Sequence, residues 1–318
     1  AAAEDILSMA RQAGPDDLLI VLISGGGSSL LSLPVPGIPM TALKSVTQDL
    51  LRSGAPIEDM NVVRKHLSRV QGGRLAAATQ AAVLTLIISD VAGDDPSSIA
   101  SGPTVPDSST YEQALDILCR HGVDAPGEVR RWLEDGAAGR NEETPKVGDV
   151  CFARVENRII ATAQQSLQAG AEVLRAAGVS AVVLGDSVTG EAREAAKVYA
   201  ALVRQIRRHG EPFAVPVALV SGGECTVTVR GNGRGGRCTE FLLSLAAELR
   251  GEPGLCALAC DTDGIDGSEE SAGAWWDSSR LARAEAQGLT PAGWLDTNDA
   301  WGYFNALDSL VMTGPTLT

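Results

Sequence analysis

The 318 residues carry 26 Lys and Arg against 40 Asp and Glu, a formal charge of −14, and are 44% hydrophobic but only 4% aromatic. Such a field repels nucleic-acid phosphates and anionic lipid, so neither is an expected partner, and the small-residue composition suits an α/β fold better than a β-sandwich. No apolar run approaches the roughly 20 residues that span a bilayer, the opening AAAEDILSMARQ lacks the charged-then-apolar order of a signal peptide, and six cysteines without a CxxC pair do not make a disulfide framework, so a cytoplasmic protein is expected.

Helix-like and strand-like segments alternate along the chain. The spacing predicts a helix over 3–13, a strand over 18–23, a helix over 41–53 that Thr41 would cap, a helix over 67–81 and a buried strand over 83–89. Residues 34–40, PVPGIPM, read as a loop. Helices are expected at 111–121 and 162–177, with a polar stretch at 136–149 between them, then a strand SAVVLG and a long helix over 190–208. HGEPFAVP (209–216) breaks the pattern with Gly and two prolines, which places a domain boundary there and gives domains of 1–210 and 211–318. Beyond it come the strands VALVS and CTVTVRG, a glycine-rich loop, the helix CTEFLLSLAAELR, the strand LCALAC, an acidic loop, a helix near 279–288 and an apolar LDSLVMTG. This alternation argues for mainly parallel sheets flanked by helices, with ligands at the carboxyl ends of strands.

Three constellations carry chemistry. SGGGSSL follows the first strand: Ser24, Gly25, Gly26, Gly27, Ser28 and Ser29 form either a tight turn or a cradle in which bare amides and hydroxyls hold a phosphate or carboxylate. It is neither a Walker loop nor a nucleophile elbow. A short basic patch, Arg64, Lys65, His66, Arg69 and Arg74, is sized for a small anion.

RGNGRGGR (230–237) satisfies G-x-G-x-x-G between a strand and a helix, which fits a dinucleotide fingerprint. Its arginines fit forked recognition of phosphate or carboxylate beside Gly235 and Gly236 equally well. SDVAGDDPSSIASGPT (89–104) and CDTDGIDG (260–267) gather carboxylates at strand ends, where a cation relieves their repulsion. Magnesium, which needs few carboxylates, is the expected metal, with Asp94 and Asp266 as ligands. Glycine cradles, forked cations and metal-binding acids together are the parts of phosphoryl transfer.

NVVRKHLSRVQGGRLA (61–76), the 89–104 segment, VSGGECTVTVRGNGRGGR, DTDGIDG, TNDAWGYF (297–304) and VMTGPT together resemble the type II glycerate kinases, whose C-terminal part is the MOFRL domain. The resemblance implies a Rossmann-like first domain, a MOFRL α/β second domain, and ATP- and Mg-dependent conversion of D-glycerate to 2-phosphoglycerate. It implies glycerate and nucleotide as small-molecule partners, and a homo-oligomer is compatible with it. Arg237 and Asp263 match the family's functional arginine and aspartate, and Asp90 matches another active-site acid. The chain departs from the family's pattern at Cys238 and Thr239, where Asn-Gln is usual, and at Asp261, where Gly is usual. Two alternatives remain at this point. One is an NAD(P)-dependent hydroxypyruvate reductase, with His66 as its proton donor; the other is a phospho-ligand-binding protein without turnover.

Overall fold

The computed structural model describes residues 2–89, 91, 93–250 and 252–316. Its contacts divide the chain into two units, Ala1–Thr162 and Ala163–Thr318.

The first unit runs α1 (Ala2–Gln12), β1 (Leu18–Ile23), α2 (Gly27–Leu30), α3 (Met40–Arg52), α4 (Ile57–His66), α5 (Arg74–Ala77), β2 (Ala82–Ile88), α6 (Tyr111–Arg120), α7 (Gly127–Ala137) and β3 (Val155–Ala161). β1, β2 and β3 form a parallel sheet in that order, with Leu18 opposite Ala82 and Val83 opposite Val155. The main apolar core lies among the helices: Val46 and Leu50 of α3 meet Val63 of α4, Ile117 of α6 and Val129 and Leu133 of α7. α6 starts at a capping box, in which Thr110 Oγ1 accepts from the Gln113 amide and the Gln113 side chain accepts from the Thr110 amide.

The helix expected over 67–81 is reduced to Arg74–Ala77. Gly72 and Gly73 take φ of 60° and 79°, left-handed values that end a right-handed helix, and Ser68 Oγ turns the chain by accepting from the amides of Val70 and Gln71. Thr41 does not cap α3 either: extended Pro39 holds the N-cap position, and Thr41 lies inside the first turn.

The second unit runs α8 (Ala163–Ala176), β4 (Ser180–Glu191), α9 (Ala192–His209), β5 (Val217–Thr226), α10 (Arg237–Glu248), β6 (Cys256–Cys260), β7 (Gly273–Asp277), α11 (Ser278–Ala286), α12 (Pro291–Asp296), α13 (Ala300–Ala306) and β8 (Leu310–Val311). β4 and β5 pair in parallel, whereas β6, β7 and β8 form an antiparallel sheet. Parallel sheets flanked by helices therefore describe β1 to β5, and the C-terminal sheet adds the antiparallel element. Its core joins Ala196 and Ala200 of α9 to Leu242 and Leu243 of α10, Trp276 of β7 and Phe304 of α13.

The contact boundary falls earlier than the break read at 209–216. That Pro- and Gly-bearing loop joins α9 to β5 inside the second unit, because β4 pairs with β5 across it and α9 packs on α10. Among the described residues, no helix is long and apolar enough to cross a membrane.

Candidate functional site

In the second unit, the strand β5 delivers Glu224, and the loop after it leads through RGNGRGGR into α10. The glycines of that loop are there for close packing. A Cβ on Gly231 would stand 2.3 Å from the Thr297 carbonyl oxygen, and one on Gly233 2.5 Å from Asp299. The loop amides are engaged within the protein. Asn298 Oδ1 accepts from Arg230 and Gly231 (2.6 and 3.0 Å), the Thr297 carbonyl from Gly233, Asp299 Oδ1 from Arg234, and Thr239 Oγ1 from Gly236. A dinucleotide fingerprint needs such amides free for a pyrophosphate, so the motif here stitches two loops together.

The start of α10 is likewise taken. Fully buried Asp266 accepts from the Cys238 amide at Oδ1 (2.9 Å), and at Oδ2 from the Thr239 amide and hydroxyl (2.8 and 2.7 Å). A carboxylate at that position complements the unsatisfied amides and the positive end of the helix dipole.

Arg237, the first residue of α10, reaches across to β6. Its Nε and Nη2 both donate to Asp261 Oδ2 (3.1 and 2.7 Å), while Nη1 pairs with the half-exposed Glu224. Asp263 is exposed. Its Oδ1 accepts from the Ile265 amide (2.8 Å), and Oδ2 has no hydrogen-bond partner among the described residues. Gly264, at φ 91°, lets the DTDG turn lie against the Gly314 carbonyl, and the Thr316 amide donates to the Asp263 carbonyl, so the TGPT segment braces that turn. Arg237, Asp261 and Asp263 with Gly235 and Gly236 line a cavity of about 450 Å³, which Asn298 and buried Glu240 help to close.

Cys238, Asp261 and Asp266 each offer an atom within 4.8 Å of the others. This set does not fit magnesium: a thiol is a poor ligand for a hard cation, and both Asp266 oxygens are engaged by α10. Burial first, then the charges of Asp266 and Asp261, push the Cys238 thiol up and the Cys260 thiol up to about 11, so both stay protonated. Of the carboxylates around Arg237, Glu224 and Asp263 are the ones exposed to solvent.

In the first unit, the SGGGSSL loop leaves β1 and enters α2. Gly26 is left-handed (φ 76°), and a Cβ on Gly27 would lie 2.6 Å from Ala100 Cβ, so Gly27 is required for the approach of the 99–101 turn. Ser28 Oγ shares a hydrogen bond with Ser101 Oγ (2.9 Å), which in turn donates to Asn61 Oδ1 of α4 (3.1 Å); Gln71 Nε2 donates to the Ser28 carbonyl. Ser29 Oγ donates to the Gly26 carbonyl. Ser24 and Gly25 are exposed. Ala100 and Ser101 both adopt left-handed φ near 55° without being glycine, a conformation costing roughly 1–2 kcal/mol per residue.

The basic patch on α4 resolves into paired and unpaired members. Buried Lys65 donates to Asp107 (3.3 Å), whose carboxylate also accepts from Ser109 and Thr144. Burial raises the Asp107 pKa, but the Lys65 charge and the Ser109 hydrogen bond outweigh it and hold the carboxyl below its usual range. His66 is fully buried, with Nδ1 on the Val62 carbonyl (2.8 Å) and Nε2 on Glu143 (3.0 Å), which removes it from any proton transfer to a substrate. Arg64 alone among the patch has no side-chain hydrogen bond or ion pair among the described residues. Asp94, at φ 53°, lies in the loop after β2 with no partner for its carboxylate among the described residues, and Asp90 lies outside the described residues.

The sequence did not single out Glu224, Asn298 or Asn61. All three sit within segments that it did single out, VSGGE, TNDAW and NVVRK, and the pairing of those segments with distant loops is what gives them a role.

Residues 1–134 match the domain of unknown function DUF4147, and residues 217–318 match the MOFRL family. The chain is 38% identical to the D-glycerate 2-kinase of Thermotoga maritima over 314 residues, 98% of this chain and 73% of that protein. It is 48% identical over 320 residues to an Agrobacterium vitis protein named "Putative hydroxypyruvate reductase", covering 100% of this chain and 71% of the relative. Among solved structures, the glycerate kinase of Thermotoga maritima superposes with a TM-score of 0.88 at 37% identity, covering 100% of this chain and 74% of that one.

Proposed function

The chain belongs to the family of glycerate kinases that carry a C-terminal MOFRL domain, and from that premise we propose that it transfers the γ-phosphoryl group of ATP to the 2-hydroxyl of D-glycerate, giving 2-phosphoglycerate. The observation that carries this reading is one cavity wall holding both a forked guanidinium, Arg237, and an accessible carboxylate with a free oxygen, Asp263.

Asp261 fixes the Nε–Nη2 edge of Arg237, so the guanidinium is oriented before any ligand arrives. Among the described residues, Nη1 is held by half-exposed Glu224 alone, and a phosphoryl group takes that place when Glu224 turns aside. Arg237 then neutralises charge that develops on the transferring group, the kind of preoriented electrostatic stabilisation on which phosphoryl transfer depends. Asp263 Oδ2 accepts the proton of the 2-hydroxyl as its oxygen bonds to phosphorus and the bond to the β-phosphate oxygen breaks, releasing ADP. Glu224, once released from Arg237, would hold a magnesium ion accompanying the nucleotide, which when bound screens the phosphate charges. Asp266 is left to its helix, and Lys65 to Asp107.

The test is the full chain with ATP, magnesium and D-glycerate, followed by analysis of the phosphorylated product. 2-Phosphoglycerate with stoichiometric ADP is the expected outcome, and 3-phosphoglycerate would refute the position of transfer. The name of the Agrobacterium relatives keeps one competing reaction in view. Oxidation of NADH by hydroxypyruvate without ATP would replace the kinase reading with a reductase, and tight nucleotide binding without turnover would replace it with a sensor.

A further inference from the structure

We propose that Arg64, with Asn61 one helical turn before it, forms a seat within the first unit for the carboxylate of a small hydroxy acid. The identity of the acid rests on the kinase reading; the existence of the seat does not.

Four of the five basic residues in the 64–74 patch have partners: Lys65 with Asp107, His66 with Glu143, Arg69 with Glu4 (2.9 Å) and Arg74 with the Tyr111 hydroxyl (3.3 Å). Arg64 is half-buried and its guanidinium meets no acceptor among the described residues. In a chain with 40 acids and 26 bases, acidic partners are abundant, so a half-buried arginine without one calls for an acceptor from outside the protein. Burial also lowers its pKa, and no neighbouring carboxylate offsets that. Placement in the last turn of α4 accounts for a cation there, but Lys65 and His66 share that placement and are paired.

The second observation lies at Asn61, which is 4% exposed. Its Oδ1 accepts from Ser101 Oγ, while its Nδ2 donates to no described residue. Side chains three apart on a helix share a face, so a forked guanidinium and an unused amide donor stand together, beside the Ser101–Ser28 link to the glycine loop. Five N–H groups in a rigid fork suit the two coplanar oxygens of a carboxylate, and the adjacent amide and hydroxyls suit a hydroxyl-bearing acid.

The same fork would also grip a phosphate, so the experiment separates the two. Calorimetric titration of the full chain, wild type and Arg64→Ala and Arg64→Lys, is performed with D-glycerate, with inorganic phosphate and with ATP. Melting curves of each variant are recorded alongside. D-Glycerate affinity is expected to fall at least tenfold in Arg64→Ala and less in Arg64→Lys, with ATP and phosphate affinities unchanged. Because the Arg64 side chain bonds to none of the described residues, the melting temperature of Arg64→Ala is expected to equal or exceed that of the wild type.

Loss of phosphate or ATP affinity with D-glycerate affinity retained would overturn the carboxylate assignment. So would unchanged affinity for all three, absence of D-glycerate binding by the wild type, or a melting temperature lowered in Arg64→Ala. A wild type that binds D-glycerate through Arg64 yet transfers no phosphate would sink the kinase reading and leave this seat standing.

Discussion

Thr239 and Asp266 are joined twice, through the Thr239 amide at 2.8 Å and its hydroxyl at 2.7 Å, both donating to one carboxylate oxygen. The other oxygen takes the Cys238 amide. A side chain from the DTDGID loop thus supplies the cap that α10 lacks in its own sequence, where Gly236 has no side chain to offer. Asp266→Ala leaves the start of a buried helix unsatisfied and is expected to destabilise the protein by about 2–3 kcal/mol. Equilibrium urea unfolding checks this, with and without magnesium. An equal loss in both conditions is expected of a cap, whereas a loss confined to the magnesium-containing samples would make Asp266 a metal ligand.

Arg237→Lys keeps a positive charge but cannot hold Asp261 through two donors while presenting a third to a ligand. The expected result is a fall in kcat of about 100-fold, the scale on which removal of one preoriented donor acts, with little change in melting temperature because the side chain is partly exposed. Glycerate-dependent ADP release at the wild-type rate would remove Arg237 from the chemistry.

Much of this arrangement was legible one segment at a time. β1 was read at its observed limits, and the helices α9 and α10 within two residues, because each is a strongly patterned run between clear breakers. β3 was missed because Glu156, Asn157 and Arg158 interrupt its apolar residues. β7 was missed because GAWWD is only five residues long. The boundary read at 210 and the contact boundary after Thr162 rest on different signals: Gly and Pro mark any loop, whereas the pairing of β4 with β5 keeps this one within a compact unit. The site shows the same limit. Sequence pattern singled out Arg237, Asp261 and Asp266 as charged groups in loops at strand and helix ends, but a carboxylate that caps a helix, one that orients an arginine and one that would hold a metal look alike until the contacts are known.

The thiols beside Asp261 and Asp266 are expected to be chemically quiet. Cys238 and Cys260 are raised by burial and by the charges of Asp266 and Asp261, and it is the thiolate that reacts. Iodoacetamide on the native protein at pH 8, followed by peptide mass analysis, is expected to label the exposed Cys119 and Cys256 well before Cys238 and Cys260. Fast labelling of Cys238 would mean that the α10 start opens in solution.

Acid stability should report on Glu143. Burial raises its pKa, but the hydrogen bonds from His66 and the Thr144 amide and the charges of His66 and Lys146 overcome that and bring it from 4.5 to about 2. A carboxyl depressed in the folded state binds fewer protons than the unfolded chain over that interval, so its contribution to stability is complete above about pH 4.5 and is lost as pH falls toward 2. Glu143 is about one-third exposed, so solvent screening reduces the size of the effect without changing its sign. Glu143→Gln is expected to lower stability at pH 6 and to flatten the decline between pH 4.5 and 2, as measured by urea unfolding across that range. A variant whose acid limb stays parallel to the wild type would show that the buried His66 is held by the Val62 carbonyl alone, and that the His66–Glu143 pair contributes nothing to the first unit.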